Sequence, residues 1–313
     1  MLHVRVVSPS ELTERLVGLL TAESGVINLV VLPSAARLPD GDAIQFDVMS
    51  GAANGVLRQL RSIGLDRASS IIVEKVDAAL AEAAGRRDWR PSFHGEHAPI
   101  WDIVEATITD NATYSPSFFA LLAFAGIIGA CGILTNSAIL IVGAMVIGPE
   151  YGAIIAVAQG IERRHWAPVR RGLLALLVGF GAAIAVTLLF ALCIRGLGEE
   201  PEAFLHGVRP VSDLINSPDL FSVVVAVVAA LVGVVSLTLA RAGALIGVFI
   251  SVTTIPAAAN IGVSVAFGSW RGVTGSVGQL LLNVVILIVV GALALHGQRV
   301  IWRRWLRVRG GSD

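Results

Sequence analysis

The stretch Ile147-Gly148-Pro149-Glu150-Tyr151-Gly152 interrupts an apolar run over residues 137 to 160. A run of that length can cross a hydrocarbon core of roughly 30 Å as a helix. Proline removes a backbone hydrogen bond, and two glycines flank the proline and the acid, so the helix should break here and expose backbone groups. The stretch therefore predicts an interrupted membrane helix.

A second apolar run, 243 to 267, contains a similar break at Thr253-Thr254-Ile255-Pro256, followed by three alanines and Asn260. Its hydroxyls and amide could face the first break, which predicts a site for a small solute or ion at the membrane midplane. The candidate binding residues are Asn136, Ser137, Gly148, Pro149, Glu150, Tyr151, Thr253, Thr254, Pro256 and Asn260.

Six apolar runs have the length of a span: 117 to 134, 137 to 160, 172 to 194, 219 to 240, 243 to 267 and 276 to 296. The segments 137 to 171 and 244 to 277 are alike, and a plain apolar span lies on each side of both. The chain is thus predicted to be a duplication of three spans, about 117–194 and 219–296. An odd number of spans inverts the second copy, as in many transporters. The alternative is that a broken run enters and leaves on one side.

Arginines predict the orientation in a bacterial cytoplasmic (inner) membrane. Four of them join the second and third spans, five follow the sixth, and the loop from 195 to 218 is acidic. Positive charge favours the cytoplasmic side, so both termini are expected there. Residues 298–313 would be a basic cytoplasmic tail.

The chain is 55% hydrophobic and 15% charged, and its mean hydropathy is +0.78, whereas residues 1–110 hold 15 of its 23 acidic residues. This asymmetry predicts an α-helical polytopic membrane protein with a polar N-terminal domain, residues 1–85. Alternating residues predict strands at 3–8, 25–32, 42–49 and 69–76. The stretch Ser8-Pro9-Ser10-Glu11 supplies a capping serine and a first-turn proline for a helix to about Glu23, and a second helix is predicted over 53–63. The order βαββαβ is that of the ferredoxin-like fold. Such a domain either senses a ligand or partner, or only caps and oligomerises the membrane part.

Residues 86–113 are predicted to be a linker, ending in an amphipathic helix at 99–110 on the membrane surface. His94 and His97 lie in this linker without a third ligand nearby, so no metal site is predicted. In the spans, Gly126, Gly129 and Gly132 recur every three residues and are expected to allow close helix packing.

Glu150 is the acidic residue expected within a span, where a carboxyl group is costly and usually handles protons or cations. The alternative is that Pro149 and Pro256 only kink helices, and that Thr and Asn side chains only hold helices together. No nucleophile with a base, acid pair or metal cluster is apparent, so neither an enzyme nor a cofactor is predicted. Lys75 is the one lysine, and no phosphate-binding loop is present, so energy would come from gradients.

The stretch from Thr135 to Gly152, together with that from Thr254 to Gly262, resembles the uncharacterised prokaryotic membrane family catalogued as domain of unknown function 389. Asn-Ser at 136, Gly-Ala-Met at 143 and Gly-Pro at 149 carry the likeness, which covers roughly residues 110 to 295. The resemblance implies a multi-span bacterial membrane protein. The family often has an apolar residue at the position of Glu150.

The leading hypothesis is a secondary transporter or channel-like permease whose broken helices meet at the midplane. The alternative is a membrane-anchored sensor or scaffold, in which the N-terminal domain binds a ligand or partner. The expected partners are membrane lipid, a small solute or ion, and further copies of the chain in a dimer or trimer, but not nucleic acid.

Overall fold

The computed structural model describes residues 1–65, 70–76, 101–199, 201, 218–239 and 242–309. The chain divides into two compact units, Met1–Glu105 and Ala106–Asp313. The predictions for His94 and His97, and for most of the acidic loop, lie outside the described residues.

The first unit contains a four-stranded antiparallel sheet and two helices. Its elements are β1 Leu2–Ser8, α1 Ser10–Ala22, β2 Val26–Arg37, β3 Asp40–Val48, α2 Ser50–Ser62 and β4 Ser70–Lys75. The strand order is β2-β3-β1-β4, and each neighbouring pair is antiparallel. The order of helices and strands agrees with the order that the sequence predicts.

Strand β2 is longer than predicted, because it continues through Pro33 to Arg37 instead of ending near residue 32. Its pairing with β3 shifts register between Leu32 and Ala36, and Ser34 adopts a left-handed φ of 52°. Such an irregularity places the proline where no ladder hydrogen bond is needed. The chain therefore turns only at residues 38 and 39.

One hydrophobic core lies between the sheet and both helices. Val4 and Phe46 contribute from the central strands, Leu16 from α1 and Leu60 from α2, and all four side chains are fully buried. Their burial follows from alternation along the strands and helical spacing along α1 and α2. The first unit therefore has a core of its own.

Asp42 joins the start of α1 to the β2–β3 hairpin. Its carboxylate accepts hydrogen bonds from the backbone N–H of Ser34 at 2.8 Å, from the Thr13 hydroxyl at 2.6 Å and from the Ser10 hydroxyl at 3.1 Å. These hydrogen bonds hold the pKa of Asp42 below its usual range. The bond from the Ser34 N–H has the largest effect, and the bond from the Thr13 hydroxyl has the next largest. The ionised form is therefore the form that stabilises the fold.

The second unit is helical. Its elements, with α3 leading into it, are α3 Trp101–Asn111, α4 Pro116–Leu134, α5 Ala138–Ile147, α6 Glu150–Glu162, α7 Trp166–Leu197, α8 Leu220–Thr238, α9 Ala242–Ser251, α10 Thr254–Ala266 and α11 Trp270–Arg309. Helix α3 corresponds to the predicted amphipathic helix. Ile108 in α3 is buried in the protein, whereas the location of α3 at the membrane surface stays a prediction.

Among the described residues, five segments are long and apolar enough to cross a membrane, and the bent pair α5–α6 raises the number to as many as six. This is the architecture of a polytopic membrane protein. Helices α7 and α11 are longer than the predicted runs, with 32 and 40 residues. They are longer because arginine- and tryptophan-rich flanks continue the helix beyond the apolar segment.

The glycines of α4 contact three different helices. A Cβ at Gly126 would lie 3.4 Å from the Ala183 Cβ, and one at Gly129 would lie 3.0 Å from the Ala259 Cβ. A Cβ at Gly132 would lie 3.0 Å from atoms of Ile141. The prediction that these glycines allow close packing is thus confirmed.

Replacement of Asp42 by Asn should destabilise the first unit at neutral pH and reduce the pH dependence of its stability. Because the pKa of Asp42 is lower in the folded protein, its contribution is present above the unfolded value of about 3.9 and is lost as the pH falls through the folded value. Hydrogen–deuterium exchange of the β2–β3 hairpin in the full-length protein, in increasing urea, measures the effect. Asp40→Asn, at an exposed position nearby, is the control. Equal unfolding of both variants at pH 7 would contradict the role of Asp42.

Candidate functional site

Two helix breaks define the candidate site. Helix α5 ends at Ile147 and α6 begins at Glu150 after a bend of 52°, while α9 ends at Ser251 and α10 begins at Thr254. Pro149 immediately precedes α6. Pro256 instead lies in the first turn of α10, where a missing N–H breaks no helical hydrogen bond. The second break therefore lies at residues 252 and 253, ahead of the predicted proline.

A side-chain hydrogen bond joins the two breaks. The Thr254 hydroxyl donates to Oε1 of Glu150 at 2.7 Å. Thr254 is 0% exposed and Glu150 is 8% exposed. Each is the first residue of its helix, so the positive ends of the α6 and α10 dipoles both lie at this carboxyl group. The structure thus brings together two residues that the sequence places 104 positions apart.

Gly148 allows the close approach of the breaks. A Cβ at this position would lie 2.8 Å from Cγ1 of Ile255 and would also meet the Glu150 carboxylate. A side chain at position 148 would therefore separate α6 from α10.

A small cavity adjoins Glu150. Its volume is about 10 Å³, which corresponds to about one water molecule. Three of its lining side chains carry oxygen, those of Glu150, Tyr151 and Thr254, while the others, such as Phe249 and Leu287, are apolar. Within the described part of the chain, neither Oε2 of Glu150 nor the Tyr151 hydroxyl has a hydrogen-bond partner, although both atoms are buried.

Polar side chains of α11 lie on the other side of the second break. Gln279 Nε2 and Asn283 Nδ2 donate to the Thr253 hydroxyl oxygen at 3.1 and 3.0 Å. One turn or more further along α10, Asn260 Nδ2 donates to the Ser276 hydroxyl at 2.9 Å. Residues 276, 279 and 283 follow helical spacing and share one face of α11. This polar cluster is therefore continuous with the Glu150–Thr254 pair through residues 253 and 254.

Asn136 and Ser137 do not join this site. They precede α5, whose other end carries the break, and a helix of ten residues separates these ends by about 15 Å. Asn136 has a left-handed φ of 52°, and the Ser137 hydroxyl accepts from the backbone N–H of Leu140. Their roles are those of a turn and a helix cap.

The two halves of the membrane unit, Pro116–Leu197 and Leu220–Arg309, have the same succession of helices. Helices begin at residues 116, 138, 150 and 166 in the first half and at 220, 242, 254 and 270 in the second. Each pair is 104 residues apart. Arg164 and Gly268, also 104 apart, both have a left-handed φ. Glu150 and Thr254 have the same separation, so their hydrogen bond joins equivalent positions.

A second pair of contacts follows the same spacing. Arg195 of α7 donates from Nη1 to the carbonyl oxygen of Ala266 at 2.6 Å, where α10 ends. Its equivalent in α11, Arg299, has Nη1 3.2 Å from Oε2 of Glu162, where α6 ends. In both halves, an arginine of the long fourth helix thus binds the end of the other half's broken helix.

Gln279, Arg195 and Arg299 were not among the predicted site residues. The spacing of Ser276, Gln279 and Asn283 was the available signal, since three polar side chains on one face of an apolar span rarely face lipid. The contact of Arg195 could not be predicted in this way, because its acceptor is the backbone carbonyl of Ala266, which every residue type has.

Replacement of Gly148 by Ala should lower the stability of the membrane unit by about 1–3 kcal/mol, the usual cost of overpacking. The added methyl group would collide with Ile255 and force the two breaks apart. Gly143→Ala is the matched control, since a Cβ there meets no atom within 4 Å. Thermal unfolding of the purified protein in detergent compares them, and equal melting temperatures would contradict a tight contact at Gly148.

Comparison with known proteins gives one family match. The model of the family described as "Domain of unknown function (DUF389)" matches residues 145–289, which include both breaks and the polar cluster of α11. No curated protein and no solved structure matches the chain. The predicted resemblance is therefore confirmed, and over residues 145–289 this membrane protein is similar to the family with the domain of unknown function 389.

Proposed function

We propose that the protein is a secondary transporter or channel-like permease, with its solute or ion site between the two helix breaks. The hydrogen bond between Thr254 and Glu150 is the observation that carries this proposal, because it joins two helix starts inside the membrane unit. Discontinuous helices that meet at a repeat interface are the usual binding sites of such proteins.

The two halves would be inverted repeats. Three spans in each half place the second half upside down, and the constant spacing of 104 residues relates their helices one to one. A residue that bonds to its own equivalent lies on the symmetry axis that relates the halves. The Glu150–Thr254 pair would therefore lie on a pseudo-twofold axis in the membrane plane.

The two arginine contacts would act as clamps at opposite membrane faces. Glu162 directly precedes the loop of Arg163 and Arg164, which is expected in the cytoplasm, and Ala266 directly precedes the equivalent loop on the outside. Rocking of one half against the other exposes a central site alternately to the two sides. The Arg299–Glu162 pair would close the cytoplasmic side, and the Arg195–Ala266 contact would close the outer side.

The N-terminal unit would regulate or stabilise the assembly as a ferredoxin-like domain. Its antiparallel strand order and its separate core support this assignment. If residues 1–85 bound a metabolite by themselves while the full-length protein showed no solute or ion flux, the protein would instead be a membrane-anchored sensor.

The inverted topology predicts that equivalent loops face opposite sides of the membrane. Ala167 and Arg271 are both exposed and are 104 residues apart. Cys131 and Cys193 are the two native cysteines, so replacing both provides a background free of thiols. In that background, an impermeant maleimide should label Ala167→Cys from the cytoplasm and Arg271→Cys from outside. Labelling of the two introduced cysteines from the same side of the membrane would contradict the inverted repeat.

The clamps predict opposite effects of the two arginines on access to the site, tested with Thr253→Cys in the same background. Arg299→Ala should increase labelling of that cysteine from the cytoplasmic side by about a hundredfold or more, because loss of a buried ion pair costs about 3–5 kcal/mol and ~1.4 kcal/mol is about tenfold. Arg195→Ala should increase labelling from outside.

Glu162→Gln should reproduce the effect of Arg299→Ala, since it removes the same ion pair from the other partner. Absence of labelling from either side in every variant would contradict a transport route through the breaks. Equal increases on both sides would contradict separate clamps.

A further inference from the structure

The buried carboxyl group of Glu150 has half of its hydrogen-bonding capacity unused. Oε1 accepts from Thr254, whereas Oε2 has no partner among the described residues and lies at the cavity. No lysine, arginine or histidine of the described chain forms an ion pair with it. A buried carboxyl group without a cation is costly as an anion.

Two features nonetheless favour the ionised form. The carboxyl group lies at the first residue of α6, and its partner Thr254 lies at the first residue of α10, so two helix dipoles favour negative charge there. The Thr254 hydroxyl also donates to it. Burial favours the neutral acid, whereas the helix ends and the Thr254 hydroxyl favour the anion, so opposing influences meet at this carboxyl group.

The side chains that line the cavity offer few ligands to a metal cation. Its volume of about 10 Å³ holds about one water molecule. Mg²⁺ and Ca²⁺ take about six or more oxygen ligands, whereas side chains lining this cavity supply oxygen from Glu150, Tyr151 and Thr254 alone. A single water, in contrast, needs about two to four polar partners, which these side chains can provide.

We propose that the ion handled by this site is the proton, with Glu150 as its carrier and one water molecule in the cavity as its route. The proposal deepens the transporter function and rests on it. On protonation, a hydronium ion transfers its proton to Oε2, where an O–H bond forms, and a neutral water molecule leaves. Release of the proton on the other side of the membrane reverses this step. The protonated Oε2 then donates a hydrogen bond to the cavity water.

Thr254 would couple this proton to the movement of the halves. Its hydroxyl belongs to the second half and holds a carboxyl group of the first half, so the strength of the bond between the halves depends on whether Glu150 is charged. A hydrogen bond to a carboxylate is roughly twice as strong as one to a neutral acid. Loss of charge therefore loosens the contact at the proposed symmetry axis.

Infrared difference spectroscopy of the full-length protein in liposomes tests the site directly. A pH jump should reveal the carbonyl stretch of a protonated carboxyl group that is absent in Glu150→Gln and present in Asp219→Asn, the control acid at the exposed N-cap of α8. Tyr151→Phe and Thr254→Val should shift the frequency of this band. Na⁺, K⁺ or Mg²⁺ at constant pH should leave it unchanged.

The same liposomes test whether the site serves transport. A pH-sensitive dye inside them should report proton entry into wild-type vesicles, and Glu150→Gln should slow entry by about a hundredfold, the effect of losing a positioned proton-transfer group. A band that survives Glu150→Gln, or that metal cations displace, would overturn the proton site. If the infrared band of Glu150 responded to pH but no proton flux were seen, the proton site would stand and the transporter function would be overturned.

Discussion

The membrane unit depends on one constraint, namely that backbone groups freed at a helix break must be satisfied inside the protein, because lipid offers no partner. Both breaks of this chain, at residues 148–149 and 252–253, lie inside the membrane unit and contact each other through side chains. The Glu150–Thr254 bond holds them together, and Gly148 permits the approach to Ile255. Small residues elsewhere also allow helices to approach closely, since Gly129 lets α4 pack on Ala259 of α10.

The positions of the breaks could be predicted from sequence because proline, glycine and polar residues are conspicuous in apolar runs. The same contrast predicted the strands and helices of the N-terminal unit. Prediction from sequence failed where a contact or an element depends on a backbone group or on strand register, which no distinctive side chain indicates. The carbonyl of Ala266, which accepts from Arg195, is one such case. The extension of β2 through Pro33 is another, because it depends on a register shift against β3 that sequence alone does not specify.

The candidate site was predicted only in part, because sequence indicates the residues beside a break but not their partners on other helices. Residues beside the breaks, Glu150, Thr253 and Thr254, were found because the breaks marked them, while Asn136 and Ser137 were included although they cap the far end of α5. Gln279 was missed because it belongs to an unbroken helix. Its amide donates to the Thr253 hydroxyl, so a polar side chain of a neighbouring unbroken helix reaches the break.

The two halves supply different side chains at positions 104 residues apart. Gly172, Ala175 and Gly179 of α7 occupy the positions that Ser276, Gln279 and Asn283 occupy in α11. Large apolar neighbours fill the space beside the glycines, since a Cβ at Gly179 would meet Leu122. The first half therefore supplies the acid, and the second half supplies its hydroxyl partner and the amides behind it. Neither half contains a complete site, so any chemistry at Glu150 depends on how the two halves are held together.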